Sequence, residues 1–211
     1  MLTGRGHHFA QYEEAATPVP RLVGSAHGLT LEVGVGDGNQ LARYDVSRVT
    51  RVIGIEPNGD LLARLRQRLA SHSELASKYT PIQAALEDSA ELLALNVTDG
   101  SVDTIVCMQV LCSVRDCQAG AATMYKLLKP GGQLLFWEHH LSPDTVTSWA
   151  QVGGCHLNRD IQQALDKAGS WAIDEVGHDS QGPYDLMPRF WGRLTKTATI
   201  EFASTPVQQS T

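Results

Sequence analysis

Glu32 and Glu56 bracket the part of this sequence best suited to chemistry. The stretch Leu31-Glu-Val-Gly-Val-Gly-Asp-Gly38 closes a short apolar run with three alternate glycines, and Glu56 comes 22 positions after Gly34. Glycines at the end of a strand let the backbone turn tightly into the next element and come close to a ligand. An acid roughly 20 residues further on reaches the tip of the next strand, where its carboxylate accepts ribose hydroxyls. The spacing therefore predicts a crevice for a nucleoside.

Charge narrows the choice of nucleoside. The dinucleotide fingerprint needs glycine at positions 34, 36 and 39, but residue 39 is asparagine. Glu32 and Asp37 beside the loop would repel a pyrophosphate and suit a cation. S-adenosyl-L-methionine carries a sulfonium and an ammonium group and no phosphate, so the charge balance favours it as the cofactor.

A second group of reactive side chains lies further along the chain. His139, His140 and His156 are candidate bases, because histidine changes charge near neutral pH. In open parallel sheets ligands sit beyond the carboxyl ends of the strands, which puts His139 and His140 in the right neighbourhood as catalytic residues. The four cysteines at 107, 112, 117 and 155 match neither a zinc knuckle nor a disulfide framework, and no metal site is expected. They read as reduced thiols, Cys107 and Cys112 as small buried core residues.

The elements that must position these residues alternate. Apolar runs at Leu29 to Val35, Arg51 to Glu56, Pro81 to Ala85, Val102 to Met108 and Gln133 to Glu138 read as strands. Helices are expected over Asn39 to Val46, Asp60 to His72, Ala119 to Leu128 and Asn158 to Ala168, the last ended by a C-terminal Gly169. Ser170 to Val176 and Phe190 to Ala198 are two final strands with no helix between them. The pattern predicts an α/β fold: a doubly wound, mainly parallel sheet of seven strands ending in an antiparallel hairpin.

The whole chain supports one such domain. Its 211 residues can bury a substantial core, and 42% hydrophobic with 19% charged residues is ordinary for a globular protein. A net charge of −6 without a basic patch argues against a nucleic-acid partner. No apolar run reaches the roughly 18 residues of a membrane span, and no secretory signal opens the sequence. A cytoplasmic protein with no membrane partner is expected.

Several stretches together resemble the class I S-adenosylmethionine-dependent methyltransferases of the type-11 branch. They are LEVGVGDG (31–38), VIGIEPN (52–58), DGSVDTIVCMQVLCSV (99–114), LLKPGGQLLFWEH (127–139) and GCHLNRD (154–160). Within that branch they are similar to the mammalian methyltransferase-like proteins that act on alkyl thiols. The resemblance implies a Rossmann-like methyltransferase fold over 29–201, preceded by a cover segment at 1–28 and followed by a frayed tail at 202–211.

The resemblance also implies roles. It puts Glu32 and Gly34 near the methionine end of the cofactor, with Gly36 and Gly38 allowing close backbone approach. Glu56 holds the ribose, with Pro57 and Asn58 beside it. Leu86 and Glu87 lie by the adenine, and Met108 and Gln109 line the cleft. Ala85 stands where many relatives have an aspartate, so the adenine relies on backbone and apolar contacts. The mammalian relatives have an N-terminal membrane-associating segment and a longer insert after the fifth strand. Here a short lid, 140–157, supplies Trp149 and His156 toward substrate, and a homodimer is expected to complete it.

The implied reaction is methyl transfer to a small-molecule thiol or hydroxyl, as in secondary metabolism. Two other readings stay open: a methyltransferase-like protein catalysing a non-methylating cyclisation or isomerisation, and a non-catalytic binding module.

Overall fold

A computed structural model describes residues 6–141, 151–152, 154–179 and 187–197. Seven strands form one sheet: β1 (Gly28–Val33), β2 (Val49–Ile55), β3 (Tyr79–Ile82), β4 (Val102–Met108), β5 (Leu128–His139), and then β8 (Trp171–His178) and β9 (Arg189–Lys196). Between β5 and β8 in the chain, β6 (Gln151–Val152) and β7 (Cys155–His156) make a separate two-stranded ribbon. The sheet order is β3-β2-β1-β4-β5-β9-β8. The first five strands pair in parallel, whereas β9 pairs antiparallel with both β5 and β8. This is the expected doubly wound sheet with a terminal hairpin.

The strands read as unbroken apolar runs because both faces of the sheet are covered. Side chains alternate across each strand, so Leu134 and Phe136 go to one face while Leu135 and Trp137 go to the other. Ile53, Ile105 and Phe136 pack with α5 (Ser89–Ala94), α6 (Cys117–Leu127) and α7 (Ile161–Ala168), through Leu92, Met124 and Leu165. Val52, Val106 and Trp137 pack on the opposite side with α2 (Val19–Gly24) and α3 (Gly59–Leu69). Val19, Leu22 and Val23 are fully buried there, so the N-terminal segment contributes to the core of the domain. Before α2 comes α1 (Gly6–Ala16), and α4 (Ser73–Ala76) leads into β3.

The main helices start where side chains replace the missing backbone acceptors of a first turn. Asn58 accepts the amides of Asp60 and Leu61 at 2.9 and 3.3 Å. Asp116 and Asp160 do the same for α6 and α7. Each such cap is worth about 1 kcal/mol.

Three local expectations change. The helix expected over 39–46 is only a 3-10 turn at Leu41–Arg43. Arg43 is drawn to Glu14 at 3.2 Å, Tyr44 is already extended, and Asp45 Oδ1 accepts the Ser47 amide in a turn of its own. Eight residues cannot offset helix nucleation against those competing contacts. The third strand ends at Ile82 rather than Ala85, because the Ala85 amide turns to Asp88 Oδ2 at 2.8 Å. Gly169 comes after α7 with φ 166°, an extended conformation that any residue adopts. Packing explains it instead: a Cβ there would lie 2.3 Å from the Tyr125 ring.

Candidate active site

The glycine loop leaves the carboxyl end of β1 between the ends of β2 and β4. Gly34 has φ +65°, and a Cβ on it would collide with Val110 at 2.6 Å. Gly36 has φ +55°, yet nothing lies within 4 Å of where its Cβ would be. The loop thus presents bare backbone to open space at residue 36, as a close-fitting ligand requires. Gly38, also at positive φ, closes on Leu41.

Glu56 ties this loop to the end of β2. Its Oε2 accepts the Gly36 amide at 3.0 Å and its Oε1 accepts the Asn58 amide at 2.9 Å. The residue is only 7% exposed. Each carboxylate oxygen can accept a second hydrogen bond, so both remain able to take a hydroxyl. Asn58 is committed to capping α3, and Pro57 is exposed beside it.

Glu32, on β1 just before the loop, has different company. Its Oε2 accepts the phenol protons of Tyr79 and Tyr44 at 2.7 and 2.9 Å. Complete burial raises its carboxyl to about 7, against the lowering effect of those two hydrogen bonds. Its located contacts therefore belong to the floor under the loop.

The residues expected beside the adenine and the cleft lie after β3, at 86–87, and at the end of β4, at 108–109. Leu86 is buried in the core, and Glu87 Oε1 accepts the Arg115 amide at 3.1 Å. Met108 is partly buried against the α3 side of the sheet. Gln109 has φ +60°, a conformation uncommon outside glycine and often found at functional sites. Its amide donates to Trp137 O at 2.7 Å.

Glu138, not singled out in the sequence, holds this turn in place. Its Oε1 accepts the amides of Val110 and Leu111 at 2.8 and 3.1 Å and faces Cys107 Sγ at 3.3 Å. Burial raises its carboxyl to about 7, and Oε2 has no partner among the described residues. The available signal was a lone acid in the apolar run of β5.

Adjacent positions at the end of β5 separate the two histidines. His140 sits outside the turn: its Nδ1 is 3.0 Å from Leu141 O and its Nε2 3.3 Å from Gln162 Oε1, and its ring meets His178 and Phe190 edge-on. His139 is buried beside Gln109, with its Nε2 3.5 Å from the side-chain Nε2 of Gln109 and its Nδ1 without a hydrogen-bond partner among the described residues.

The block at 154–160 docks on the same turn. His156 donates its amide to Cys112 O at 2.9 Å, and the Arg159 guanidinium donates to the carbonyls of Leu111, Val114 and Arg115. That docking brings Cys155 to Cys112 and His139, with all three ligand-capable atoms within 4.8 Å of one another. A hydrogen bond with Cys112, and then His139, lower the Cys155 thiol well below the ordinary thiol range. The same Cys112 bond, followed by burial, pushes the Cys112 thiol up. Trp149 lies outside the described residues.

Known proteins fit this geometry. Residues 31–136, which run from β1 through β5, match the methyltransferase domain family. The chain belongs to that family. It is 30% identical to thiol S-methyltransferase TMT1B of Rattus norvegicus over 87% of this chain and 77% of that protein. Thiol S-methyltransferase TMT1A of Homo sapiens is 31% identical over 80% of this chain and 68% of its own. Among solved structures, a putative S-adenosylmethionine-dependent methyltransferase from Listeria monocytogenes superposes with a TM-score of 0.65 at 15% identity, over 90% of this chain and all of that one.

The cofactor of this methyltransferase is S-adenosylmethionine, and the crevice fits it. Gly36 leaves space against bare backbone and Glu56 keeps free acceptor capacity, whereas Asp37, expected to face a cation of the ligand, is paired with Arg68 at 3.2 Å. When bound, the cofactor supplies a methyl group on positive sulfur. The protein has to hold the acceptor in line with that carbon. Such positioning can account for about 7–11 kcal/mol of barrier.

Proposed function

We propose that this methyltransferase transfers a methyl group to the sulfur of a small alkyl thiol. The reading is carried by the cluster of Gln109, His139 and Cys155, which sets an imidazole and a thiol at the carboxyl ends of β4 and β5. The naming of the mammalian relatives as thiol S-methyltransferases supports it. A thiol needs little assistance, since a few per cent is already thiolate near neutrality.

In this reading Glu56 holds the ribose, Gly34 and Gly36 admit the methionine part, and Leu86 with Glu87 flank the adenine. Met108 and Gln109 line the cleft between cofactor and acceptor. His139 takes the acceptor proton, whereas His140, with its two flanking oxygen acceptors, shapes the lid. His156 orients the 154–160 block, and Trp149 meets the substrate. A homodimer burying residues from 1–28 or 141–157 completes the cover, in a cytoplasmic protein. A monomeric mass at micromolar concentration contradicts the dimer.

The activity is tested by mass spectrometry. Purified protein with S-adenosylmethionine and a series of alkanethiols should yield the methyl thioether and S-adenosylhomocysteine in equal amounts. Methylation of a matched phenol or amine series, with the thiols left untouched, overturns the proposed acceptor. An acceptor recovered rearranged at unchanged mass overturns methyl transfer itself.

A further inference from the structure

We infer that Cys112, Cys155 and His139 form a three-ligand site for a zinc-class divalent ion, whose open fourth position takes the acceptor sulfur as a thiolate. The second half of this inference rests on the thiol reading above; the first half stands without it.

The geometry comes from three separate elements. Cys112 lies on the turn after β4, fixed by the His156 amide on its carbonyl and by Arg159 on the neighbouring carbonyls. His139 ends β5, and Cys155 opens the β7 half of the ribbon. Their two sulfurs and one ring nitrogen lie within 4.8 Å of one another. Ser113 Oγ stands 3.5 Å from both sulfurs, which places the two thiols around one point.

Zinc binds thiolate at about 2.3 Å and imidazole at about 2.0–2.1 Å in a tetrahedron, so its ligand atoms stand roughly 3.5–3.8 Å apart. From separations of up to 4.8 Å, the cluster needs at most about 1.3 Å of contraction to reach that spacing. Two sulfurs and one imidazole select a borderline or soft ion over magnesium or calcium. Three protein ligands with an open fourth position are the pattern of reactive zinc sites, whereas structural sites are closed by four.

His139 provides the independent sign of a ligand. It is 7% exposed, and its Nδ1 is a buried polar atom with no hydrogen-bond partner among the described residues. Buried polar atoms are nearly always satisfied, and coordination to an ion is one of the ordinary reasons for an exception. Gln109, within 3.5 Å of the same ring, belongs to the turn that faces the crevice, so the cluster borders the place where an acceptor would lie.

The chemistry balances simply. On binding the ion, Cys112 and Cys155 each release a proton to solvent and keep the sulfur electron pair as the metal bond. A coordinated alkyl thiol releases a third proton to solvent, so in the loaded protein the ion replaces His139 as the group that deprotonates the acceptor. Its sulfur then carries the electron pair that forms the new carbon–sulfur bond, while the pair of the broken bond stays on the cofactor sulfur. The thioether product has no charge to hold it on the ion and leaves.

The test uses cobalt(II) as the probe with the full chain, freed of metal by a chelator and kept reduced with a phosphine. One equivalent of cobalt should give a near-ultraviolet thiolate-to-metal band and the visible bands of a tetrahedral ion, and zinc should erase both. Cys155→Ser and His139→Ala should each lose most of the band, whereas Cys117→Ser keeps it. Cys112→Ser is judged only if its circular dichroism is native, because that residue is buried. A folded, reduced wild-type chain that shows no thiolate band overturns the site, as does a band surviving in Cys155→Ser.

A second arm addresses the acceptor. Adding propanethiol to the cobalt protein should strengthen the thiolate band by about one further ligand. A loaded protein whose spectrum ignores propanethiol overturns the acceptor position and leaves the ion site standing. If the metal-free protein methylates propanethiol as fast as the zinc-loaded one, the ion has no part in the reaction while the thiol reading survives.

Discussion

Tyr79 donates its phenol proton to Glu32 Oε2 across 2.7 Å, inside the sheet and away from water. With Tyr44 on the same oxygen, this makes a buried acid whose charge is unwelcome: desolvation raises its carboxyl from 4.5 to about 7. A folded-state value above the unfolded one means the native protein binds the proton more tightly. The resulting stability is fully present below pH 4.5 and is lost as pH rises through 7. Glu32→Gln keeps an acceptor for both phenols and has no charge to bury. Its stability from urea unfolding should therefore change less between pH 5 and pH 8 than that of wild type, by up to about 3 kcal/mol at about 1.36 kcal/mol per pKa unit. Part of the wild-type slope remains, because Glu138 is raised in the same direction. An unaltered slope in Glu32→Gln rules out Glu32 as a source.

The sheet and the nucleoside crevice were legible because they depend on local patterns. Both-face burial makes β2, β4 and β5 continuous apolar runs, and Glu56 lies where strand length alone puts the second strand tip. Glu32 was equally visible as an acid, but its partners Tyr44 and Tyr79 arrive from separate elements, so its environment was not. The same holds for Cys112, His139 and Cys155. Their spacing in the chain has no metal-ligand pattern, and only the docking of Arg159 on the turn after β4 brings them together. The sequence predicts a helix where the structure has only the short turn at Leu41–Arg43, because its competitors, Glu14 and Asp45, act through side chains.

Glu56 should matter more for the ligand than for the fold. Its oxygens accept two backbone amides at the rim of the crevice, where water can replace part of what is lost. Glu56→Ala removes charged acceptors of the kind worth about 1.5–3 kcal/mol each. S-adenosylhomocysteine affinity by calorimetry should fall by about ten- to a hundredfold. The unfolding midpoint should drop far less. Wild-type affinity in this variant removes Glu56 from the ribose site.

Gly36 and Gly169 should fail in opposite ways. At Gly36, φ +55° burdens any side chain with about 1–2 kcal/mol of backbone strain, but the space beyond is empty. Gly36→Val should fold with that modest loss and bind S-adenosylhomocysteine at least tenfold more weakly, because the methyls enter the crevice. At Gly169 the backbone is unstrained, but a Cβ would sit 2.3 Å from the Tyr125 ring. Gly169→Ala should lose about 1–3 kcal/mol of stability through overpacking and keep its affinity. Calorimetry and urea unfolding on both variants separate the two effects, and equal affinity losses contradict the assignment.

Glu138 should act on the crevice through the backbone it holds. It accepts the amides of Val110 and Leu111 just after Gln109, whose φ of +60° needs surrounding contacts to maintain it. Glu138→Ala leaves two interior amides without their acceptor, at about 1–3 kcal/mol for each one unsatisfied. It also removes a charge that burial disfavours, which offsets part of the loss above pH 7. The net destabilisation should therefore be larger at pH 5 than at pH 8. Glu138→Gln retains a carbonyl for both amides and should recover most of the stability at pH 8. Hydrogen exchange gives the local readout: the Val110 and Leu111 amides should exchange faster in the alanine variant and near the wild-type rate in the glutamine variant. If the alanine variant protects both amides as well as wild type does, Glu138 is not what holds the turn.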